Sequence, residues 1–225
     1  MKRILILAVL LIQALCLGAQ NYDYKPRETW PYLLEEFTSG GVNLNEGWYN
    51  VSVVDGKLHY VKDGRIMEAD MRQIQYVRIG EEMYVNRMGC LEQVVSEEGN
   101  CALLRCTLVN MDRLAKSDIG YGVSSAVAST QNINNLGLAG ATVSMELEAA
   151  IAGAKVGNVL PLRTRYDFLL GARQIEATKS AVFALPGIDK DAAKAFCKQE
   201  KINWNKPESL AKVLKYLADT YKVQQ

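Results

Sequence analysis

The sequence predicts an α+β protein: an antiparallel β meander, as an open barrel or a sandwich-like fold, followed by a β hairpin and a three-helix C-terminal segment. Three observations carry this. Between Trp48 and Val109, seven short runs rich in apolar and β-branched residues are separated by brief polar turns. After Pro161 a short alternating stretch gives way to apolar residues at helical spacing. Between these regions lie 27 residues, Ile119 to Met145, without a single charged side chain.

The elements follow in chain order. Met1-Lys2-Arg3, the apolar run from Ile4 to Leu15 and the small residues Gly18-Ala19 have the pattern of a secretory signal peptide over residues 1–19, with cleavage between Ala19 and Gln20. The run is shorter than the roughly 20 residues that span a bilayer as a helix, so no transmembrane span is expected in the mature chain. Residues 20–47 form an N-terminal extension. In the meander, residues 48–112, Trp48 to Val54 alternates and Asp55-Gly56 is expected to close a tight hairpin onto Lys57 to Lys62. Asp63-Gly64 repeats that signal before Arg65 to Ala69. Ile74 to Ile79, Met83 to Arg87, Cys90 to Ser96 and Ala102 to Val109 complete the strands.

Residues 113–161 form a small-residue-rich connector, with an alternative role in self-association through segment 119–145 and the Gly153/Gly157 spacing on a helix over 145–156. In the last region, residues 162–225, Arg165 to Leu170 places Tyr166, Phe168 and Leu170 on one face, and Gln174 to Ala177 returns. Thr178 caps a short helix that ends before Pro186-Gly187. Asp189 begins a second helix with a stripe of Ala192, Ala195 and Phe196. Asn205 and Pro207 open a third, with Leu210, Val213, Leu214, Leu217 and Tyr221 along one face.

Composition excludes several functions. The 225 residues carry a net charge of +1; without the leader, 24 basic and 25 acidic groups leave −1, which disfavours nucleic acid as a partner. Leu185-Pro186-Gly187-Ile188-Asp189 resembles the hairpin of helix-hairpin-helix DNA-binding modules, but Asp189 stands where a second glycine would be and would repel phosphate. His59 is the only imidazole and is expected to pack within a strand; no catalytic residue, cofactor or metal site is assigned. Glu35-Glu36, Glu81-Glu82 and Glu97-Glu98 fall in turns or on polar faces. Tyr22, Tyr24, Trp30, Tyr32, Trp48 and Tyr49 are expected to pack in a core rather than to stack on a ligand.

Four cysteines remain in the mature chain: Cys90, Cys101, Cys106 and Cys197. Cys101 and Cys106 are five apart on one strand and so point to opposite faces. A three-residue loop of Glu97-Glu98-Gly99 would set Ser96 against Asn100 and Cys90 against Cys106, making these two the candidate disulfide; the alternative is that all four are small buried thiols.

The strand Ile74 to Ile79 with Gly80-Glu81-Glu82, Met83-Tyr84-Val85 and Leu91-Glu92-Gln93-Val94, together with Ala177-Thr178-Lys179, the stretch Lys198 to Trp204, Glu208-Ser209-Leu210 and Tyr216-Leu217, resembles uncharacterised exported periplasmic proteins of Bacteroidota over about two thirds of the chain. Gln20 as first mature residue fits the same group. The resemblance implies location and architecture and no activity. The expectation is therefore a periplasmic or secreted, non-catalytic binding or scaffolding module with an envelope protein, glycan or peptide as partner. Two rivals stand beside it: a hydrolase whose site is assembled from scattered residues, and a self-associating envelope component.

Overall fold

The computed structural model describes residues 31–43, 45–114 and 161–221. The expected leader with its expected Ala19–Gln20 cleavage, Tyr22, Tyr24, Trp30, segment 119–145 and the Gly153/Gly157 spacing lie outside the described residues. The strands are β1 (Thr38–Val42), β2 (Asn45–Val51), β3 (Leu58–Lys62), β4 (Arg65–Glu68), β5 (Tyr76–Ile79), β6 (Glu82–Arg87), β7 (Cys90–Glu98), β8 (Cys101–Val109), β9 (Leu162–Leu170) and β10 (Arg173–Glu176). The helices are α1 (Met111–Leu114), α2 (Lys179–Phe183), α3 (Lys190–Gln199) and α4 (Pro207–Thr220). The fold is broadly α+β, with a small helical share near the C-terminus. Among the described residues no helix is long and apolar enough to cross a membrane.

All ten strands form one antiparallel sheet in the order β10-β9-β8-β7-β6-β5-β1-β2-β3-β4. The seven expected meander strands are β2 to β8. Asp63 and Gly64 close β3 onto β4 with φ of +52° and +70°, the left-handed pair that a two-residue turn requires. β1 has no alternating pattern and went unread in the sequence. It joins the two halves of the sheet by pairing with β2 on one side and, through Gly40↔Ile79 and Gly41↔Arg78, with β5 on the other. A Cβ on Gly40 would stand 2.0 Å from the Arg78 carbonyl oxygen, so this close approach needs glycine.

Asp55-Gly56 does not close the expected tight hairpin. β2 ends at Val51, and a wider loop follows in which Ser52 N–H donates to Lys57 O at 2.9 Å and Gly56 N–H to Ser52 O at 2.8 Å. The reason is Val53, 2% exposed, which packs against Val109, Leu33 and Met111. Its carbonyl accepts from Val109 N–H at 2.7 Å, while the Gly56 carbonyl accepts from Leu91 N–H at 2.8 Å. The loop thus lies against the start of β7 and the end of β8.

That contact requires curvature. Three strands separate β2 from β7, a span of about 19 Å in a flat sheet. The same holds at the other end, where Gln174 on β10 bonds to Arg87 on β6 at 2.9 Å across three intervening strands. The sheet is curled into a half-barrel. Among the described strands β4 and β10 are its edges and do not pair with each other.

The core has two main parts. Tyr49, Val51, Leu58, Val77, Ile79, Tyr84 and Leu91 fill the N-terminal curl. In the second, the Leu210, Val213, Leu214 and Leu217 stripe of α4 packs on Cys101 and Leu103 of β8 and on Phe168 and Leu170 of β9. β9 pairs with β8 from Cys101↔Leu170 to Val109↔Leu162, so the C-terminal region continues the meander's sheet. Thr178 caps α2 through Ala181 N–H, and Asp189 caps α3 through the N–H groups of Asp191 and Ala192. Two helical expectations are corrected. On α3, Ala192 and Ala195 are exposed, and the inward face carries Ala193, Phe196 and Cys197, set by Phe196 stacking on Tyr216 at 4.4 Å. α4 starts at Pro207 with Lys206 at the cap position; the Asn203 side chain, accepting from Asn205 N–H at 3.0 Å, turns the chain just before it.

Candidate functional site

Alternation along β8 and β9 divides the chemistry. Cys101, Leu103, Phe168 and Leu170 point to the α4 side, so Ala102, Leu104, Cys106, Arg165, Asp167 and Leu169 occupy the other. On that second side Glu92 and Asp167, 2% and 3% exposed, are held by one guanidinium and one amide. Arg165 donates from Nε to Asp167 Oδ2 at 3.0 Å, and its Nη2 lies 2.9 Å from the same oxygen and 3.2 Å from Glu92 Oε1. Gln174 Nε2 donates to Asp167 Oδ2 at 2.8 Å and to Glu92 Oε2 at 3.0 Å. Asp167 Oδ1 is buried without a hydrogen-bond partner among the described residues. Burial, followed by the negative charge of Asp167, raises the Glu92 pKa above the ordinary carboxylate range.

Cys90 and Cys106 border this cluster. Both are free thiols, with their Sγ atoms 3.6 Å apart. The hydrogen bond between them pushes Cys90 up and holds Cys106 below the ordinary thiol value. The expected register is corrected. The turn is Gly99-Asn100, with Glu98 opposite Cys101, and a bulge between Val94 and Ser96 then shifts the pairing to Gln93↔Arg105. Continuing that register sets Glu92, not Cys90, opposite Cys106. The thiols meet as diagonal neighbours because both point to the same side of adjacent strands. Cys101 lies on the opposite side, in the α4 core, as strand alternation requires.

Two cavities open at the start of β9. β10 pairs with β9 only from Asp167 to Leu170, which leaves residues 162–166 beyond its end. One cavity, about 290 Å³, is lined by Cys106, Asn110, Asp112, Arg163 and Arg165. The other is an open groove of about 570 Å³ bounded by Arg105, Arg163, Arg165, Tyr166, Trp204 and Asn205. Arg105 is tied to Gln93 and Arg165 to the carboxylates, whereas the exposed Arg163 side chain has no ion pair or hydrogen bond among the described residues. Among the described residues Glu176 is the only acidic one lining this groove.

Apart from Cys90 and Cys106, the residues singled out from sequence fall elsewhere. His59, 4% exposed, lies on β3 opposite Asn50 and Glu68, with the Tyr32 hydroxyl 3.0 Å from Nδ1. Tyr32 also meets Phe37 edge-on at 4.8 Å, and Tyr49 is buried, while Trp48 is 38% exposed. Asp189, by capping α3, occupies amides that a phosphate-binding hairpin would offer. Among the described residues, no three His, Cys, Asp or Glu side chains converge as a metal site. Sequence adjacency singled out none of Glu92, Asp167 or Arg165. The one available signal was the Tyr166, Phe168 and Leu170 alternation, which assigns Arg165 and Asp167 to the opposite side. Comparison with protein families, curated proteins and solved structures finds no match for the chain.

Proposed function

We propose that this is an exported envelope protein, periplasmic or secreted, that acts as a non-catalytic binding module for acidic glycans. The groove between β9 and the start of α4 carries the reading. It joins the exposed Arg163, whose side chain has no ion pair or hydrogen bond among the described residues, to two partly exposed aromatic rings, Tyr166 and Trp204, a combination suited to a sugar ring bearing a carboxylate. The N-terminal pattern of basic start, short apolar run and small-residue exit supports export. Glu92 and Asp167 are spent on Arg165 and Gln174 and are closed from solvent, which argues against their serving as the acid and base of a hydrolase.

Calorimetric titration of the full chain with polygalacturonate, dextran and poly-glutamate tests this. Saturable binding of polygalacturonate that weakens with salt is expected, with roughly tenfold loss for Arg163→Ala and for Trp204→Ala. No binding, or binding indifferent to both substitutions, overturns it, as does preference for poly-glutamate. New reducing ends during the titration would favour the hydrolase, and a change of mass in light scattering on deletion of 119–145 would favour the self-associating component.

A further inference from the structure

β7 and β8 part at one end. Their pairing runs from Glu98↔Cys101 to Gln93↔Arg105, and beyond it the backbone partners come from the β2–β3 loop: Leu91 N–H donates to Gly56 O, and Val109 N–H donates to Val53 O. Cys90 and Cys106 flank this opening, 3.6 Å apart. Gly56 lies directly on the pair. A Cβ there would stand 2.2 Å from Cys90 Sγ, and its φ of +72° also demands glycine. The loop, the two strand ends and the two thiols therefore form one packed unit.

We infer that Cys90 and Cys106 form a disulfide that latches the β2–β3 loop into the gap between β7 and β8. That the bond forms in the cell rests on the export reading, since an oxidising compartment supplies the partner. The oxidant is a dithiol–disulfide carrier protein or a small-molecule disulfide. Cys90, the less buried thiol, meets the carrier first; it gives its proton to a base in solvent and attacks the carrier disulfide, the carrier S–S bond breaks, and one carrier sulfur leaves and takes up a proton. Cys106 thiolate then attacks Cys90 Sγ in the mixed disulfide, the Cys90–Cys106 bond forms, and the second carrier sulfur departs and is protonated. Two protein thiols are oxidised and one carrier disulfide is reduced. Linking two strands here pins the segment whose carbonyls serve both, so loop order should follow the redox state.

The full chain, equilibrated in oxidised and reduced glutathione, is alkylated and digested with trypsin and a glutamate-specific protease. The cuts after Glu92 and Arg105 separate Cys90, Cys101 and Cys106. A Cys90 peptide linked to a Cys106 peptide is expected, with Cys101 and Cys197 alkylated; both Cys90 and Cys106 alkylated in oxidised glutathione overturns the bond. Hydrogen exchange of residues 52–57 should slow about tenfold on oxidation, and the melting temperature should rise by about 5–10 °C. Cys90→Ser and Cys106→Ser should each abolish both effects and Cys197→Ser neither; equal exchange in the two redox states overturns the latch. A bond that forms in glutathione and is absent from protein taken from cells leaves the latch standing and defeats the export reading.

Discussion

The two sides of β8 and β9 solve the problem of burial in opposite ways. Towards α4, Leu103, Phe168, Leu210, Leu214 and Leu217 are packed without a charged side chain among them. On the reverse, Glu92, Asp167, Arg165 and Gln174 are joined by directional bonds around Cys106, beside the small apolar cluster of Val85, Ala102 and Leu104. Apolar burial is non-directional and depends chiefly on filled volume. A buried ionic cluster depends on each partner, because removing one leaves the others desolvated and uncompensated. The same two strands thus carry a tolerant side and an intolerant one.

Arg165→Ala should break this contrast most severely. It strips both buried carboxylates of their cation and should cost about 3 kcal/mol in urea unfolding, the low end for a buried pair because the guanidinium is half exposed. Leu214→Met on the other side should stay under about 1.5 kcal/mol. Equal costs would erase the distinction. Gly56→Ala comes next, at about 2 kcal/mol, from the collision with Cys90 and the positive φ together. Gly64→Ala, with φ of +70° and no heavy atom within 4 Å, isolates the backbone part and should cost about 1 kcal/mol. A Gly56 variant no worse than the Gly64 one would remove the Cys90 contact from the account.

The smallest effect concerns pH. With its folded-state pKa raised, protonated Glu92 favours the fold, so its contribution is complete below the ordinary glutamate value and is lost as pH rises through the raised one. Glu92→Gln keeps the neutral shape. It should match or exceed the native protein at pH 7 by less than about 1 kcal/mol and flatten the stability profile across that window. A profile of unchanged slope from pH 4 to 8 would show that Glu92 titrates alike in the folded and unfolded chains.

Much of the fold was legible because its signals are local. The Asp63-Gly64 turn, the caps Thr178 and Asp189, and the apolar stripe of α4 each depend on residues within a few positions of one another. β1 was not legible: Thr-Ser-Gly-Gly-Val has no alternation, and its glycines serve the Gly40–Arg78 approach rather than a turn. The Asp55-Gly56 signal misled because Val53 finds its burial on β8, far away in sequence. The candidate site was the least legible part, since Glu92 and Asp167 are brought together by strand order and curl.

Strand alternation and helical spacing are short-range properties of the chain, so the amino-acid order sufficed to assign seven strands, to send Cys101 and Cys106 to opposite sides and to choose the buried face of α4. Register and curvature are not short-range. A single bulge at Val94/Ser96 changed which residue opposes Cys106, and the curl put Gln174 beside Arg87 and Gly56 on Cys90. Such contacts join residues far apart in the chain, and the packing of the whole sheet selects them.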